Sequence, residues 1–296
     1  MEDESIMNND ETGERAARRS PGAEASAAST APAAASSETN AACGAESETT
    51  GTCVVFAAGE YYGEPVHVPA GAFVIAADGG LDHTRALGVH PDVVVGDFDS
   101  LEGAAPGALE QDGDERTVTL PPLKDDPDLL SALKIGWARG CRTFHVYGAL
   151  GGRIDHTIAA INLAAMIASR GGIGFLHGDG VIVTAITNAC LRFAAHDAKP
   201  GRMVSVFSHS DVSRGVDEPG LKYELRDGTL TSDMVLGLSN EFLPGRPALV
   251  DVHDGTLIVT YPLEAPEPTL TRHRALEGDL GPLDTEISPL LVRDRM

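Results

Sequence analysis

The chain has 296 residues and a formal net charge of −22 at pH 7, which is long enough for one large domain or two ordinary ones. This excess of negative charge argues against a nucleic-acid or anionic-membrane partner, because both require clustered cations. No apolar run reaches the length of a membrane span. The four cysteines have no Cys-x-x-Cys spacing, which is typical of a reduced cytoplasmic protein and gives no case for zinc or a disulfide framework.

Residues 1–51 differ in composition from the rest of the chain. Residues 1–50 contain no aromatic residue, no Leu and no Val, and they are rich in Ala, Ser, Thr and Glu. Such a segment cannot bury enough apolar surface to offset the entropy of the chain. Its acidic start, with no apolar core behind it, is not typical of a signal peptide. We therefore predict a disordered extension over 1–51.

Strand and helix patterns alternate between residues 52 and 178. Short apolar strands are predicted at 53–57, 73–77, 93–95 and 143–147, and helices at 81–87, 129–139 and 156–170. Strands that alternate with helices favour a parallel sheet with helices on its faces. The segment 52–178 is thus predicted to be an α/β domain.

The rhythm changes in residues 179–263, where short strand-like runs follow one another. These runs cover 181–186, 191–194, 203–207, 222–225, 249–252 and 257–261. Asp227-Gly228 and Asp254-Gly255 predict hairpin turns, because Asp-Gly tolerates the positive φ of a type I′ turn. We predict an antiparallel β domain here, followed by a loosely packed tail over 264–296.

Two carboxylates follow the apolar run 93–95, in the sequence Gly96-Asp97-Phe98-Asp99-Ser100. If the strand continues, its side chains alternate between faces, so Asp97 and Asp99 point to the same side. At a separation of roughly 6–7 Å they repel by about 2–3 kcal/mol at an effective dielectric constant of 20. No Lys or Arg lies within ten residues to offset this repulsion. The pair therefore predicts a divalent cation.

Further acidic residues follow strands or precede helices in the α/β half. Asp78 follows strand 73–77, while Asp128 and Asp155 lie where helices begin. Because ligands of parallel sheets bind at the carboxyl ends of the strands, we expect these residues at one edge. Carboxylates there, with Lys124 and Arg153 and helix N-termini close by, suit Mg²⁺ and a polyphosphate.

Simpler interpretations exist for each of these features, and the weakest of them is that for the acidic pair. Asp126 is an alternative N-cap with Pro127 as first helical residue, and Asp155 an alternative cap for a helix starting at His156. The run 148–152 is readily explained as a tight turn, and Trp137 as a core residue. No Gly-Lys pair occurs, which excludes a Walker-A loop.

Six motifs occur in order over residues 52–263. They are Ala77-Asp78-Gly79-Gly80, the run 91–100, Lys124-Asp125-x-x-Asp128, the run 148–156, Gly220-Leu221-Lys222-Tyr223 and Leu238-Ser239-Asn240-Glu241. Each alone is weak, but together they are specific. In these motifs the chain resembles the thiamine pyrophosphokinase (thiamine diphosphokinase) family.

The resemblance implies an N-terminal Rossmann-like α/β domain, a C-terminal β-sandwich and a homodimer. It implies transfer of the pyrophosphoryl group of ATP to the hydroxyl of thiamine, with release of AMP. By motif, the implied Mg²⁺ ligands are Asp97, Asp99 and Asp128, and the implied ATP contacts are Asp78, Lys124, Asp125 and Arg153. Asp155 is implied to lie toward thiamine. The implied thiamine contacts are Tyr223, Ser239 and Asn240, which serve the ATP bound by the partner subunit.

One departure from the family pattern lies in the acidic motif before the second helix. Members of the family usually have Thr where Pro127 stands, and Pro127 removes a hydroxyl and an N–H that could touch phosphate.

Two alternatives to a thiamine pyrophosphokinase follow from the residues. One is a metal-dependent nucleotide-sugar glycosyltransferase, since Asp-x-Asp also binds metal diphosphates, and the other is a non-catalytic thiamine or nucleotide sensor.

Overall fold

The structure is a computed structural model that describes residues 51–97, 116–121 and 125–286. All of these residues belong to one compact unit of the chain, Ala41–Met296. The predicted extension over 1–50, the run 98–115 and the segment 122–124 lie outside the described residues.

The first six strands form the parallel part of the sheet. They are β1 (Gly51–Phe56), β2 (Phe73–Ala77), β3 (Val93–Gly96), β4 (Arg116–Thr119), β5 (Cys141–Tyr147) and β6 (Ile173–Gly178). They lie in the order β6-β5-β1-β2-β3-β4, and each neighbouring pair is parallel. Strands buried on both faces need near-continuous apolar runs, and the run that forms β3 is of this kind.

Helices connect these strands, as the alternating pattern predicts. They are α1 (Gly80–Leu87), α2 (Asp128–Ala138) and α3 (Ile154–Ser169). Trp137 of α2 is 5% exposed and stacks on Phe144 of β5 with ring centroids 6.3 Å apart, so its predicted place in the core is confirmed. A buried aromatic side chain of this kind contributes roughly 1.5–3 kcal/mol to stability.

The remaining strands are antiparallel. They are β7 (Val181–Phe193), β8 (Met203–Ser208), β9 (Val212–Asp217), β10 (Gly228–Thr231), β11 (Gly237–Glu241), β12 (Ala248–Pro262) and β13 (Thr269–Arg272). β6 pairs with β7 in antiparallel fashion, so both parts belong to one hydrogen-bonded sheet. The predicted fold class, a parallel α/β part followed by an antiparallel β part, is confirmed.

Several predicted elements differ from the structure. Asp227-Gly228 is not a two-residue hairpin turn, because β9 ends at Asp217 and β10 begins at Gly228. Asp254-Gly255 is not a hairpin, because β12 runs through it and pairs with β7 on both sides of a register shift. Residues 222–225 are not a strand but part of the connection between β9 and β10. The turn propensity of 254–255 does not produce a hairpin, because the flanking residues of β12 pair with β7 and β9.

The segment after β12 contributes to the sheet. In the region for which the sequence predicts a loose tail, β13 pairs with β7 from Thr269 to Arg272. Leu280 packs into the core of the parallel part with 7% of its surface exposed. Among the helices of the described ranges, none combines the length and the hydropathy of a membrane span.

Candidate functional site

Two acidic residues follow neighbouring strands at the carboxyl edge of the parallel sheet. In the pairing of β2 with β3, Ala77 lies opposite Val95. Asp78 follows Ala77 directly, and Asp97 comes two residues after Val95. The backbone N–H of Asp78 donates to the Val95 carbonyl at 2.7 Å, which extends the pairing beyond β2. Both residues therefore lie at the same edge of the sheet.

Glycines allow the close approach of the chain at this edge. A Cβ on Gly96 would lie 3.0 Å from Cα of Asp78, and a Cβ on Gly80 would lie 2.0 Å from the Phe56 carbonyl oxygen. Asp78 itself has a φ of 48°, in the left-handed region that residues with a side chain rarely adopt. Uncommon backbone conformations cluster at functional sites, which makes Asp78 a candidate.

Two predicted site residues, Asp99 and Lys124, lie outside the described residues. Asp97 is half-buried and is the last described residue before the run 98–115, which includes Asp99. Lys124 falls in the segment 122–124. The proximity of Asp97 and Asp99 on one face stays a prediction.

Asp128 is the first residue of α2, and Pro127 occupies the cap position before it. Among the described residues no side-chain cap of this helix is found and Pro127 is the N-cap, so the alternative interpretation of Asp126 as N-cap is wrong. Asp126 instead forms an ion pair with Lys134, and both side chains are almost fully buried. The N-terminus of α2 carries a partial positive charge and therefore suits an anion.

The order of the strands reverses between β1 and β5, since β2 to β4 lie on one side and β6 on the other. Open α/β sheets bind ligands outside the carboxyl ends of the strands at such a switch point. Here Ala57 N–H donates to the Tyr147 carbonyl and Gly59 N–H to the Gly148 carbonyl, both at 2.9 Å. The segment after β1 was not among the predicted site segments, because its only local signal is a run of small residues.

The turn after β5 is glycine-rich because the backbone needs positive φ there. Gly148, Gly151 and Gly152 have φ values of 71°, 82° and 61°. A Cβ on Gly151 would lie 1.5 Å from the Tyr62 hydroxyl oxygen, so the ring of Tyr62 packs directly on the turn. The interpretation of 148–152 as a tight turn is confirmed, and Tyr62 covers it.

Arg153 and Asp155 form an exposed pair at the start of α3. Nη2 of Arg153 donates to Oδ2 of Asp155 at 2.6 Å, and this bond lowers the pKa of the Asp155 carboxyl. Because α3 begins at Ile154, Asp155 lies within the first turn, and its alternative role as a cap before His156 is wrong. The carboxylate is ionised near neutral pH and can accept a hydrogen bond.

The connection from β9 to β10 presents Tyr223. Gly220 has a φ of 85°, and a Cβ there would lie 2.2 Å from the Pro247 carbonyl oxygen. Leu221 is 1% exposed and forms a backbone bridge with Phe242. Tyr223, two residues later, is 65% exposed. The loop is thus anchored through its buried leucine and offers its aromatic ring to a ligand.

The buried amide of Asn240 holds this loop in place. Its Oδ1 accepts the N–H groups of Tyr223 at 3.0 Å and of Glu241 at 2.9 Å. Its Nδ2 donates to the Tyr223 carbonyl at 2.7 Å and to Oε2 of Glu218 at 3.3 Å. These four bonds use the whole capacity of an Asn side chain. In the structure Asn240 positions Tyr223, and its contact with a ligand stays a prediction.

Glu218 is a buried carboxylate that the sequence analysis missed. It is 2% exposed, and its Oε1 has no hydrogen-bond partner among the described residues. Burial raises the pKa of Glu218 from the ordinary 4.5 to about 7. No local pattern distinguishes Glu218 from a surface glutamate, because its burial and its Asn240 contact arise from distant parts of the chain.

A cation already lies near the ring of Tyr223. Nζ of Lys222 is 5.6 Å from the ring centroid and 2.5 Å from Oε1 of Glu241. Ser239, which is exposed, has a φ of 62° and donates its N–H to Oγ of Ser205 at 3.1 Å. An exposed aromatic face in this setting can stack on a flat, positively charged ligand.

Two family models match the chain in the order of its two parts. The model described as the thiamin pyrophosphokinase catalytic domain matches residues 68–172. The model described as the thiamin pyrophosphokinase vitamin B1 binding domain matches residues 193–257. The first range contains Asp78, Asp97 and Asp128, and the second contains Tyr223 and Asn240.

Solved structures with similar folds include thiamine pyrophosphokinase from Bacillus subtilis, with a TM-score of 0.63, 21% identity and coverage of 71% of this chain and 98% of that chain. The thiamin pyrophosphokinases from Geobacillus thermodenitrificans (TM-score 0.61, 21% identity, 72% and 98% coverage) and Candida albicans (0.57, 13%, 71% and 90%) are also similar. At these identities the similarity shows the fold. No curated protein matches the sequence significantly.

Proposed function

Because the chain belongs to the thiamin pyrophosphokinase family, we propose that it transfers the pyrophosphoryl group of ATP to the hydroxyl of thiamine, yielding thiamine diphosphate and AMP. The observation that carries this proposal is the placement of Asp78 and Asp97 at one edge of the sheet, beside a switch point, within the range of the catalytic-domain model. The loop of Tyr223 lies within the range of the vitamin B1 binding model.

The proposed metal ligands are Asp97, Asp99 and Asp128. The donor set fits Mg²⁺, a hard cation that prefers carboxylate oxygens, and the described members stand at a strand end and at the first residue of α2. When bound, Mg²⁺ neutralises charge on the phosphates of ATP. The protein supplies the rigid strand and helix ends that hold these carboxylates.

Four further residues are proposed to bind ATP: Asp78, Lys124, Asp125 and Arg153. The N-terminus of α2, whose N-cap is Pro127, and the guanidinium of Arg153 are suited to phosphate oxygens. Asp155 accepts hydrogen bonds from Arg153 and so fixes its orientation. Pro127 stiffens the chain before α2 without offering an N–H, so the phosphate contacts of this turn fall to other residues.

Thiamine is proposed to bind against Tyr223 and Ser239, with Asn240 holding the aromatic residue in place. Stacking of the cationic thiazolium on the Tyr223 ring contributes about 0.5–2 kcal/mol. Tyr223 is 65% exposed, and its backbone N–H and carbonyl are both bonded to the Asn240 amide. These bonds order the backbone that carries the ring before the ligand binds, which lowers the entropy cost of binding.

The proposed reaction joins the hydroxyl oxygen of thiamine to the β-phosphorus of ATP. The bond between that phosphorus and the oxygen bridging to the α-phosphorus breaks, and AMP leaves with the bridging oxygen. Asp155 accepts a hydrogen bond from the attacking hydroxyl, whose proton passes to this carboxylate or to water. Positioning of the two substrates supplies most of the rate, since phosphoryl transfer needs little covalent chemistry from the protein.

We propose that two subunits form each thiamine site. In the strand order, β12, β7, β6, β5 and β1 separate β9, which precedes Tyr223, from β2, which precedes Asp78. Exposed apolar residues next to the proposed thiamine residues suit a subunit interface. They are Met234 (43% exposed), Val235 (68%), Leu236 (65%) and Leu238 (56%). A homodimer buries this surface and brings Tyr223 to the partner's ATP.

A cytoplasmic location is proposed from cysteine chemistry. Within the described ranges, Cys53 and Cys141 are buried and form no disulfide. Free thiols of this kind are ordinary in a reducing compartment. Fractionation of cells that express the tagged chain would check this location.

One assay tests the proposed function. The full-length chain is incubated with ATP, Mg²⁺ and thiamine, and the products are separated by chromatography. Equal amounts of AMP and thiamine diphosphate support the enzyme. Binding of thiamine without formation of AMP instead supports the sensor, and ADP with thiamine monophosphate would contradict pyrophosphoryl transfer.

A further inference from the structure

A second group of metal-binding side chains lies in the antiparallel part of the sheet. Asp251 and His253 belong to β12, and His273 directly follows β13. One possible ligand atom from each of the three lies within 4.8 Å of the others. We call this group the histidine cluster, and none of its members belongs to the proposed ATP or thiamine site.

The backbone brings both histidines together through Asn188 of β7. The register of β12 on β7 shifts between Val252 and Thr256, so His253 lies in an irregular segment of β12. Asn188 has a φ of 47°, its Oδ1 accepts the N–H of Gly255 at 3.1 Å, and its carbonyl accepts the N–H of His273 at 2.9 Å. A single residue therefore fixes the irregular segment of β12 and the end of β13.

Both imidazoles direct Nε2 to the same carboxylate. Nε2 of His273 is 2.5 Å from Oδ1 of Asp251, and Nε2 of His253 is 3.9 Å from Oδ2. The rings are stacked, with centroids 4.4 Å apart and an angle of 10° between planes. The Asp251 side chain is 12% exposed.

The space for His253 depends on a glycine in the neighbouring strand. A Cβ on Gly215 of β9 would lie 2.9 Å from Cβ of His253 and 3.2 Å from its ring. Gly215 has a φ of 60°, which also favours glycine at this position. The ring of His253 is thus held against β9 while 63% of its side chain faces solvent.

We propose that Asp251, His253 and His273 bind one transition-metal cation of the Zn²⁺ type. Two imidazole nitrogens and one carboxylate oxygen form a donor set that such cations prefer over Mg²⁺. The nearby Arg274 has its own carboxylate partner, since its Nη2 lies 3.9 Å from Oδ1 of Asp254. The exposed side of His253 leaves space for water to complete the coordination.

Bound metal would join β12 to the end of β13. The three ligands come from two segments, which are also linked here by the Asp251–His273 contact, the stacked rings of His253 and His273, the Arg274–Asp254 pair and Asn188. A cation that binds the folded chain but not the unfolded one stabilises the fold by mass action. The site therefore anchors the segment after β12 rather than taking part in the proposed reaction.

The test uses the full-length chain after removal of metals with a chelator. Zn²⁺ binding is measured by calorimetry, and Co²⁺ is used as a spectroscopic probe through its visible absorption. We expect saturable binding of a single ion, weakened at least about tenfold in His253→Ala and in His273→Ala. We also expect Zn²⁺ to raise the melting temperature of the original chain but not that of His253→Ala.

Two controls separate the histidine cluster from metal binding elsewhere on the chain. His90→Ala removes an exposed histidine outside the cluster and should leave Zn²⁺ binding unchanged. Asp97→Asn removes a proposed Mg²⁺ ligand and should also leave it unchanged. Binding that survives in both cluster variants, or that is lost in Asp97→Asn, would overturn the proposal. Because His253 is mostly exposed, His253→Ala remains informative if His273→Ala fails to fold.

Discussion

The two parts of the sheet hold their proposed site residues by different means. In the parallel part, Asp78 and Asp97 stand at the ends of β2 and β3, and backbone pairing and glycines set their positions. In the antiparallel part, Tyr223 stands in a loop, and the side chain of Asn240 sets its position through bonds to its N–H and its carbonyl.

This difference predicts different consequences of substitution. A side chain at a strand end can take part in the reaction but contributes little to the stability of the fold. Its loss should therefore lower activity and leave stability unchanged. A buried amide that bonds a loop to the sheet affects both activity and stability, because its loss leaves several backbone groups without hydrogen-bond partners. Variants in the two parts therefore test whether chemistry and stability are separable in one and coupled in the other.

The largest effect is expected for Asp97→Asn. This change removes a charge from the proposed Mg²⁺ site, and we expect turnover to fall at least about a hundredfold. The residue lies just after β3 and outside the core, so the melting temperature should change little. Steady-state assays of AMP formation and thermal unfolding measure the two quantities.

Asp82→Asn is the matched control for this change. Asp82 of α1 forms a surface ion pair with Arg85 at 3.0 Å, and such pairs contribute little to stability. Its replacement should leave turnover intact. Near-normal turnover in Asp97→Asn would show that Asp97 is not a metal ligand.

The next largest effect concerns the pH dependence of stability through Glu218. Burial raises the pKa of Glu218 to about 7 in the folded state, above its ordinary 4.5. Its contribution to stability is thus complete below pH 4.5 and is lost as the pH rises through about 7. Glu218→Gln cannot ionise, so its stability relative to the original chain should rise by about 2–3 kcal/mol between pH 5 and pH 8.

Denaturant unfolding of both proteins across this pH range measures the difference. The comparison cancels the effect of His145 and His177, whose pKa values burial lowers to about 4 and about 3, and which destabilise the fold as the pH falls. A pH-independent difference between the two proteins would mean that Glu218 is ionised in the folded state.

A smaller effect on stability, but a diagnostic one, is expected for Asn240→Ala. The change leaves the N–H groups of Tyr223 and Glu241 without their acceptor, so unfolding should become easier by about 1–3 kcal/mol. The KM for thiamine should rise as well, because Tyr223 is no longer held. Chemical unfolding and assays with varied thiamine test both expectations.

Tyr223→Ala is the partner experiment. The ring is 65% exposed, so stability should be unchanged, while the KM for thiamine rises roughly 2- to 30-fold and that of ATP does not. If Asn240→Ala altered neither stability nor the KM for thiamine, the positioning role of Asn240 would be excluded. A larger effect of Tyr223→Ala on ATP would place Tyr223 in the nucleotide site.

The smallest effect is expected for deletion of residues 1–50. Both family models and all strands of the described sheet lie after this segment. Turnover should therefore be unchanged, and the free energy of unfolding should change by less than about 0.5 kcal/mol. Kinetics and denaturant unfolding of the shortened chain, compared with the full chain, measure both. A substantial loss would assign this segment a structural role.

Much of the fold follows from local patterns in the sequence. The predicted helices at 81–87, 129–139 and 156–170 agree closely with α1, α2 and α3, because helix periodicity and glycine stops act over short distances. The strands are harder to delimit. β7 and β12 are each longer than predicted, because pairing with neighbours on both sides overrides a local turn signal such as Asp254-Gly255.

The candidate sites divide in the same way. Asp78 and Asp97 are identified by their position after strands, a signal contained in a few neighbouring residues. Glu218 is missed, since its sequence neighbours do not show that Asn240 lies beside it. The segment after β1 is missed because its importance depends on β5 being the neighbour of β1.

Local sequence is sufficient to predict the alternation of strands and helices, the change to antiparallel strands and the position of acidic residues at strand ends. It is sufficient because propensity and periodicity act within a few residues. Only the folded chain shows the strand order with its switch point. The same is true of the hydrogen bonds between Asn240 and Tyr223 and of the stacking of His253 on His273. Each of these depends on contacts between distant segments, which the burial of apolar surface selects for the chain as a whole.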